Sequence, residues 1–189
     1  MDHGNKIKEL NKILEEFFHK KESSVEQVIT RMTERLKAGN KILAFGNGGS
    51  AAQAQHFSSE LVNRFCFERS ALPAIALTTD TSSLTSIAND TTFNLVFSRQ
   101  IEALGSSGDV AVALSTSGDS PNVIRAIESA RERGLTTIAL TGEGGGRAAG
   151  LSEFLLDIPS RNTPKIQEAH LFLLHLLAEE IEKRLFKSV

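Results

Sequence analysis

The chain lacks tryptophan and tyrosine, and it has a single cysteine, Cys66, among its 189 residues. One cysteine excludes an internal disulfide, and the expected role of such a residue is that of a small apolar filler. No apolar stretch approaches the ~20 residues that a helix needs to span a bilayer. The polar, charged N-terminus is unlike a signal peptide. We therefore expect a cytoplasmic protein that has no membrane partner.

The chain also lacks a long basic run and any strong charge bias. Its 21 Lys and Arg residues are balanced by 23 Asp and Glu residues, for a formal net charge of −2. This balance argues against nucleic acid or a membrane surface as the partner. The length, with 40% hydrophobic and 23% charged residues, is typical of one globular domain with a single sizeable core.

Residues 5–38 are predicted to form two helices, because apolar residues recur there at helical spacing. The segment Ser23–Glu26 resembles a capping box that would open the second helix, and Gly39 suits its C-terminal end. Each helix would carry one apolar stripe that needs a partner. We therefore expect residues 1–40 to form a helical extension that contacts another subunit.

Residues 41–189 alternate between short apolar runs and helical segments. The apolar runs predict five strands, at Ile42–Phe45, Ala74–Leu77, Val110–Leu114, Thr137–Leu140 and Phe154–Ile158. Helices are predicted at Ala51–Phe65, 81–104, Asn122–Arg133, near Ala148, and from about Lys165 to Leu185. This order predicts an α/β fold with a five-stranded parallel sheet flanked by helices, which binds its ligand at the carboxyl ends of the strands.

The first of two Gly/Ser-rich loops, Gly46–Ser50, joins an apolar strand to a helix. Glycines allow close approach, and the free N–H groups and positive dipole end of the helix attract an anion. With Ala51, this loop also fits a loose dinucleotide fingerprint, whose acidic partner would be Asp80. A P-loop is excluded because no Gly-Lys-Ser/Thr follows the glycines.

The second loop, Ser115–Ser120, carries four hydroxyl side chains. Ser120 suits the N-cap of the following helix, and Pro121 suits its first turn. Capping needs only one hydroxyl, so the surplus favours phosphate binding over a simple turn. The carboxylate of Asp119 would repel a phosphate unless it points away.

Ionisable side chains lie on two of the predicted helices. His56 and Glu60 are four residues apart and share a helix face, which Arg64 would extend by another turn. Gln167 and His175 interrupt the apolar last helix and are separated by ~12 Å of helical rise. They reach one site only if long side chains converge or if subunits share the site. His170, in the same stretch, suits either a buried position in the core or a position in the active site.

Together these residues resemble the phosphoheptose isomerase family, which has the sugar isomerase (SIS) fold. The resemblance runs from about Lys41 to Leu185 and depends on the motifs Gly46–Ser50, Gln55–Phe57 with Glu60 and Arg64, Asn89-Asp90, Ser115–Ser120, and Ile166–Glu168 with His170 and His175. It implies that residues 41–189 are a SIS sugar-phosphate isomerase domain. The implied assembly is a homotetramer with active sites between subunits.

The resemblance implies the conversion of sedoheptulose 7-phosphate to D-glycero-D-manno-heptose 7-phosphate, toward the ADP- or GDP-heptose of bacterial surface polysaccharide such as lipopolysaccharide. It also implies one zinc ion per subunit, with the ligands His56, Glu60, Gln167 and His175. The implied substrate contacts are Asn47, Gly48, Gly49, Ser50, Glu60, Arg64, Asn89, Asp90, Ser115, Thr116, Ser117, Ser120 and Gln167.

Aldose–ketose isomerisation moves a proton between C1 and C2 through an enediol, so it needs a base, an acid and stabilisation of an oxyanion. We assign Glu60 as the base and His175 as its acid/base partner, and zinc would polarise the carbonyl. The two roles of Glu60 compete, because a carboxylate that binds zinc tightly is less basic. The sequence leaves open whether Glu60 is base, ligand or both.

Two related functions remain as alternatives. One is a non-catalytic SIS protein that binds the replication initiator, and the other is a SIS module that only senses a sugar phosphate. The replication-associated relative lacks the residues that correspond to Glu60 and His175, so their presence favours the enzyme. The chain departs from the family at Asp119, where many members have Asn or Lys, and at Lys165, where Arg is usual.

Overall fold

The N-terminal segment forms one continuous helix, α1 (His3–Lys37), in a computed structural model that describes residues 3–187. The prediction of two helices is therefore wrong, and Ser23–Glu26 lies inside α1. No glycine or proline interrupts residues 5–38, and one buried stripe continues through both halves of the helix. The predicted end is confirmed: Gly39 has a φ of +85°, and N–H groups of Gly39 and Asn40 bond back to Leu36 and Arg35.

Five parallel strands form the predicted sheet, in the order β2-β1-β3-β4-β5. Their bounds are β1 (Ile42–Gly46), β2 (Ala74–Ala76), β3 (Val110–Ser115), β4 (Thr136–Thr141) and β5 (Phe154–Asp157). The remaining helices are α2 (Gly49–Val62), α3 (Thr81–Asp90), α4 (Ser98–Leu104), α5 (Pro121–Glu132) and α6 (Thr163–Phe186), with short 3₁₀ helices at Phe93–Leu95 and Gly146–Gly150. The fold is thus the predicted α/β fold, with a five-stranded parallel sheet flanked by helices.

The sheet separates two hydrophobic cores, because successive side chains of a strand point to opposite faces. Ile42 and Ala44 of β1 belong to the core beneath α1, α2 and α6. Leu43 and Phe45 belong to the core beneath α3, α4 and α5. The structure therefore has helices on both faces of the sheet, as the nearly continuous apolar strands predict.

Helix α1 packs against α6 and β5 within the same chain. Its buried apolar side chains are Ile13, Phe17, Val25, Val28, Ile29, Met32 and Leu36. Most of the stripe for which we expected a partner subunit is thus covered by this chain itself. Toward its N-terminus the helix stays exposed, and Ile7 is 62% accessible.

Helix α2 ends at Val62, earlier than the predicted end at Phe65. The guanidinium of Arg69 donates to the carbonyls of Glu60, Leu61 and Asn63, and so satisfies the last turn of the helix. Cys66 consequently lies in a loop, where it is exposed, so its expected role as an apolar filler is wrong. Among residues 3–187, no helix is long and apolar enough to cross a membrane.

Candidate active site

A cleft of about 290 Å³ opens at the carboxyl ends of β1 and β3. These adjacent strands continue to opposite sides of the sheet, to β2 and β4, which is where ligands bind in such folds. Helices α2, α5 and α6 all begin at this point. The cleft is lined by Asn47, Gly48, Gly49, Ser50, Leu114, Ser115, Thr116, Ser120, Thr163 and Gln167. Three helix N-termini therefore direct N–H groups and positive dipole ends toward one small volume.

The first loop needs its glycines because its backbone lies very close to neighbouring groups. A Cβ on Gly46 would lie 2.6 Å from the carbonyl oxygen of Leu114. A Cβ on Gly49 would lie 2.6 Å from Nε2 of Gln167. Gly48 precedes α2 with a φ of +54°, a conformation that other residues rarely adopt. Gln167 therefore lies against the backbone at the start of α2.

In the second loop the serine hydroxyls lie close together. Oγ of Ser115 is 3.2 Å from Oγ of Ser120 and 3.4 Å from Oγ of Ser117. Ser120 occupies the N-cap position of α5, but its side chain makes no capping hydrogen bond. Its hydroxyl therefore lines the cleft instead, contrary to the expectation that it caps the helix.

The carboxylate of Asp119 is directed to the 3₁₀ helix that follows β4. Its Oδ1 accepts a hydrogen bond from the backbone N–H of Arg147 at 2.9 Å. Asp119 does not line the cleft. The carboxylate is thus engaged elsewhere, which is the condition under which an acidic residue is compatible with a phosphate loop.

Two residues of this region were not found by sequence reasoning. The side-chain amides of Asn47 and Asn122 form a reciprocal pair, with N···O distances of 2.9 and 2.8 Å, so Asn122 ties the first loop to the start of α5. Thr163 lines the cleft from the start of α6. The only local signal for either was a polar residue in the first turn of a predicted helix.

A second group of polar side chains lies between α2 and α6. Nε2 of His56 is 2.7 Å from Nε2 of His175 and 3.3 Å from Oε1 of Glu60. One ligand atom from each of the three residues lies within 4.8 Å of the others, and all three are half-buried. Two imidazoles and a carboxylate form the donor set of many zinc sites, so these residues fit a zinc ion.

The cleft and the His/Glu/His cluster lie along the same seam, because α2 and α6 run side by side. Nε2 of Gln53 donates to the carbonyl of Gln167 at 2.7 Å, and His56 meets His175 further along both helices. His56 lies seven positions after Gly49 in α2, which is about 10 Å of rise. The structure therefore brings three of the four implied zinc ligands together, whereas it places Gln167 beside Gly49.

Comparisons with known proteins identify the family of this chain. The SIS domain family model matches residues 7–142. A phosphoheptose isomerase of Desulfovibrio desulfuricans is 51% identical over 178 residues, which cover 94% of this chain and 85% of the relative. The chain belongs to the phosphoheptose isomerase family. Two solved structures of that family also match.

The phosphoheptose isomerase GmhA of Neisseria gonorrhoeae superposes with a TM-score of 0.89 at 43% identity, covering 95% of this chain and 96% of the other. A phosphoheptose isomerase of Francisella tularensis gives a TM-score of 0.86 at 35% identity, covering 97% of this chain and all of the other. The family resemblance is therefore confirmed, and the two non-catalytic alternatives are not favoured.

Besides Glu60, four residues implied as substrate contacts by the phosphoheptose isomerase family do not line the cleft of this chain. One is Ser117, whose Oγ accepts a hydrogen bond from the backbone N–H of Asp119. Arg64 follows the end of α2, so it does not extend the His56–Glu60 face as expected, and it pairs with Glu68 at 2.6 Å. Asn89 and Asp90 are exposed at the end of α3, where their side chains bond to each other. Their substrate-binding roles remain predictions.

Two further residues singled out by the sequence are engaged away from the site. Asp80, the candidate acid of a dinucleotide site, caps α3 by accepting from the N–H groups of Ser82 and Ser83. Lys165, a departure from the phosphoheptose isomerase pattern, pairs with Glu168 at 2.8 Å. Neither residue lines the cleft.

His170 is a core residue. It is fully buried, and its Nε2 lies 3.0 Å from the carbonyl oxygen of Thr141, to which it donates. Burial lowers the pKa of His170 to about 4, because the apolar surroundings disfavour the charged imidazolium. The imidazole is therefore neutral near pH 7.

Proposed function

We propose that the protein is an aldose–ketose isomerase that converts sedoheptulose 7-phosphate to D-glycero-D-manno-heptose 7-phosphate. The observation that carries the proposal is the meeting of Glu60 and His175 at one cluster on the same seam as a hydroxyl-rich cleft. The family's name and this pairing of an anion site with acid–base groups support the same chemistry. A phosphate sensor would need only the cleft.

The cleft is the proposed phosphate site. Helices α2 and α5 begin at the cleft, and the positive ends of their dipoles suit phosphate oxygens. Hydroxyls of Ser115, Thr116 and Ser120 supply further donors at the same place. The ~10 Å of rise along α2 from Gly49 to His56 suits a seven-carbon sugar that is phosphorylated at one end and reacts at the other.

Glu60 is the proposed base and His175 its acid/base partner. In the ketose, Glu60 removes a proton from C1 while a proton is delivered to the oxygen on C2, which gives the enediol. The proton then returns to C2 as the oxygen on C1 loses its own, so the aldose forms with no net change in atoms. A base and acid in place contribute about 10²- to 10⁴-fold each to such a reaction.

His56, Glu60 and His175 are the proposed protein ligands of a zinc ion, with Gln167 as a fourth if its side chain turns from Gly49 toward the cluster. When bound, zinc supplies a Lewis acid that polarises the substrate carbonyl. Helices α2 and α6 would fix the imidazole rings of His56 and His175 at the metal. The carboxylate of Glu60 would act both as a ligand and as the base. The competition between these two roles is open to measurement.

The proposed assembly is a cytoplasmic homotetramer with active sites between subunits. Apolar side chains remain exposed, including Ile7, Phe93 (57%) and Phe172 (46%). Asn89 and Asp90, which the family resemblance implies as substrate contacts, are outside this chain's cleft, and a neighbouring subunit would bring them to it. The product would feed the synthesis of nucleotide-activated heptose for lipopolysaccharide or a related glycan.

The proposed function is tested by incubating the purified protein with sedoheptulose 7-phosphate in deuterated water, with and without zinc, and following the reaction by NMR. The expected result is an aldose product with deuterium at C2. A dependence on added zinc, removed by chelator, would support the metal role. Binding without turnover under both conditions would contradict the proposal and support a sensor. Sedimentation velocity tests the tetramer on the same sample.

A further inference from the structure

A buried ion pair joins the loop after α2 to helix α6. Nε of Arg69 donates to Oε1 of Glu182 at 3.1 Å, and the side chains are 1% and 0% exposed. The other guanidinium nitrogens of Arg69 donate to the carbonyls of Glu60, Leu61, Asn63 and Ser70. Arg69 therefore binds the C-terminal turn of α2, in which Glu60 lies, and links it to α6.

Glu182 completes the link from the other side. Its Oε1 accepts from the N–H of Phe65 at 2.8 Å, and its Oε2 accepts from the N–H of Cys66 at 2.7 Å. Burial raises the pKa of the Glu182 carboxyl, but these N–H groups and the Arg69 guanidinium outweigh burial and hold it below its usual value. Glu182 is therefore a carboxylate that fixes the backbone at residues 65–66.

The backbone that Glu182 fixes carries an aromatic ring that contacts the proposed catalytic cluster. The ring centroid of Phe65 lies 5.4 Å from that of His175, with an angle of 33° between the rings. Glu182 is seven residues after His175, so the two lie on one face of α6, about two turns apart. The Arg69–Glu182 ion pair is thus connected to two residues of the cluster. Arg69 binds the backbone carbonyl of Glu60, and Glu182 fixes the backbone of Phe65, whose ring contacts His175.

We propose that Arg69, Glu182 and Phe65 are positioning residues that set the orientation of Glu60 and His175 for metal binding and proton transfer. A buried ion pair that only stabilises is often replaceable by apolar residues, because desolvation offsets its attraction. Residues that orient metal ligands have a different signature, since their loss weakens metal binding about 10- to 100-fold. This inference rests on the proposed function, because it assigns the support of the same cluster.

The decisive variant is Glu182→Gln, which keeps the shape of the side chain and removes its charge. The matched control is Asp109→Asn. Asp109 is also a buried carboxylate that accepts two backbone N–H groups, from Lys41 and Ser106, and pairs with a cation, the Lys41 ammonium. Its partners lie on neither α2 nor α6. Both variants are expected to lower Tm, so loss of stability alone does not separate them.

Zinc affinity, measured by competition with a chelating dye, separates the two variants. Glu182→Gln is expected to bind zinc about 10- to 100-fold more weakly and to lose kcat with little change in KM for the sugar phosphate. Asp109→Asn is expected to keep both values of the unmodified protein. Equal zinc affinity in the two variants would overturn the proposal.

Phe65→Ala tests the same idea without touching the buried charges, so it remains informative if Glu182→Gln fails to fold. It retains the backbone N–H that donates a hydrogen bond to Glu182, but removes the phenyl ring that contacts His175. We expect weaker zinc binding, a shifted His175 ring resonance in metal-free protein by NMR, and partial rescue in Phe65→Leu. An unmoved His175 resonance together with unchanged zinc affinity would contradict the proposal.

The two proposals fail in different ways. If the unmodified protein neither binds zinc nor turns over sedoheptulose 7-phosphate, the proposed function is wrong and the positioning proposal falls with it. If the unmodified protein does both, and Glu182→Gln and Phe65→Ala do both equally well, only the positioning proposal is wrong.

Discussion

At the scale of the single residue, the two roles proposed for Glu60 oppose each other. A general base needs a free, basic lone pair, whereas a zinc ligand gives up basicity to the metal. The structure places Glu60 at 3.3 Å from Nε2 of His56, within reach of either role. Substitution at this position can separate them, because turnover and metal affinity report different properties of the same carboxylate.

Glu60→Gln is expected to lower kcat by about 10²- to 10⁴-fold, because an amide cannot accept the proton from carbon. Steady-state kinetics on sedoheptulose 7-phosphate and circular dichroism check activity and folding on one sample. Glu102→Gln, an exposed glutamate on α4, is the matched control. Turnover near that of the unmodified protein would exclude Glu60 as the base. A parallel fall in zinc affinity would assign it the ligand role as well.

His170 predicts a specific dependence of stability on pH. Its folded pKa of about 4 lies below the unfolded value of 6.5, so the unfolded chain binds more protons between these values. The free energy of unfolding therefore falls as pH is lowered through this window, by about 3 kcal/mol at its end. Urea unfolding at pH 7 and pH 4.5 measures the change.

His170→Gln is the control for this prediction, because it retains an N–H donor for the Thr141 carbonyl without a group that titrates in the window. Its free energy of unfolding should fall less between the two pH values than that of the unmodified protein. Equal losses in both proteins would mean that other groups carry the acid sensitivity.

At the scale of the element, a substitution in the second loop can distinguish helix capping from ligand binding. Ser120 makes no capping hydrogen bond, so Ser120→Ala should leave the free energy of unfolding nearly unchanged instead of costing the ~1 kcal/mol of a lost cap. It should weaken binding of inorganic phosphate about tenfold or more, because hydrogen bonds to charged groups are strong. Isothermal titration and urea unfolding measure the two quantities. Unchanged phosphate affinity would remove this hydroxyl from the site.

The first loop offers two glycines with different expected effects. Gly46→Ala forces a Cβ against the backbone oxygen of Leu114, and should destabilise the protein by about 1–3 kcal/mol. Gly49→Ala meets only the end of the Gln167 side chain, which can move. It should therefore lower phosphate affinity with a smaller loss of stability. Urea unfolding and phosphate titration of both variants check this contrast, and a larger stability loss in Gly49→Ala would contradict it.

At the scale of the whole molecule, α1 is part of the core and not an appendage. Removal of residues 1–38 would expose the faces of α6 and β5 that bury seven apolar side chains of α1. At about 1.5–3 kcal/mol for each side chain, the loss is about 10–20 kcal/mol, which is as large as the whole stability of a typical domain, about 5–15 kcal/mol. We expect this variant not to fold, as judged by cooperative thermal unfolding. A variant lacking residues 1–10, of which residues 3–9 are exposed, is the control and should fold.

Cooperative unfolding of residues 39–189 alone would contradict this expectation. It would instead support residues 41–189 as a domain that is independent of the N-terminal extension. The same measurement thereby tests the predicted domain boundary, which the contacts of α1 alone leave open.

Local pattern determined most of the fold. Each predicted strand ends within one residue of the observed bounds, because short apolar runs suit strands covered on both faces. The pairing of His56 with Glu60 follows from helical spacing alone. The prediction that both loops bind an anion follows from their position between strand and helix, and it stays a prediction. These inferences needed only residues close together in the chain.

The tertiary structure decided which residues from distant segments of the chain come into contact. His175 lies 119 residues from His56, and they meet only because α2 and α6 pack against each other over the same core. The direction of the Asp119 carboxylate, the Asn47–Asn122 pair and the early end of α2 at Arg69 likewise depend on partners that no local pattern names. Spacing along the chain sets which side chains share a face, whereas burial and hydrogen bonding across the sheet decide which faces meet.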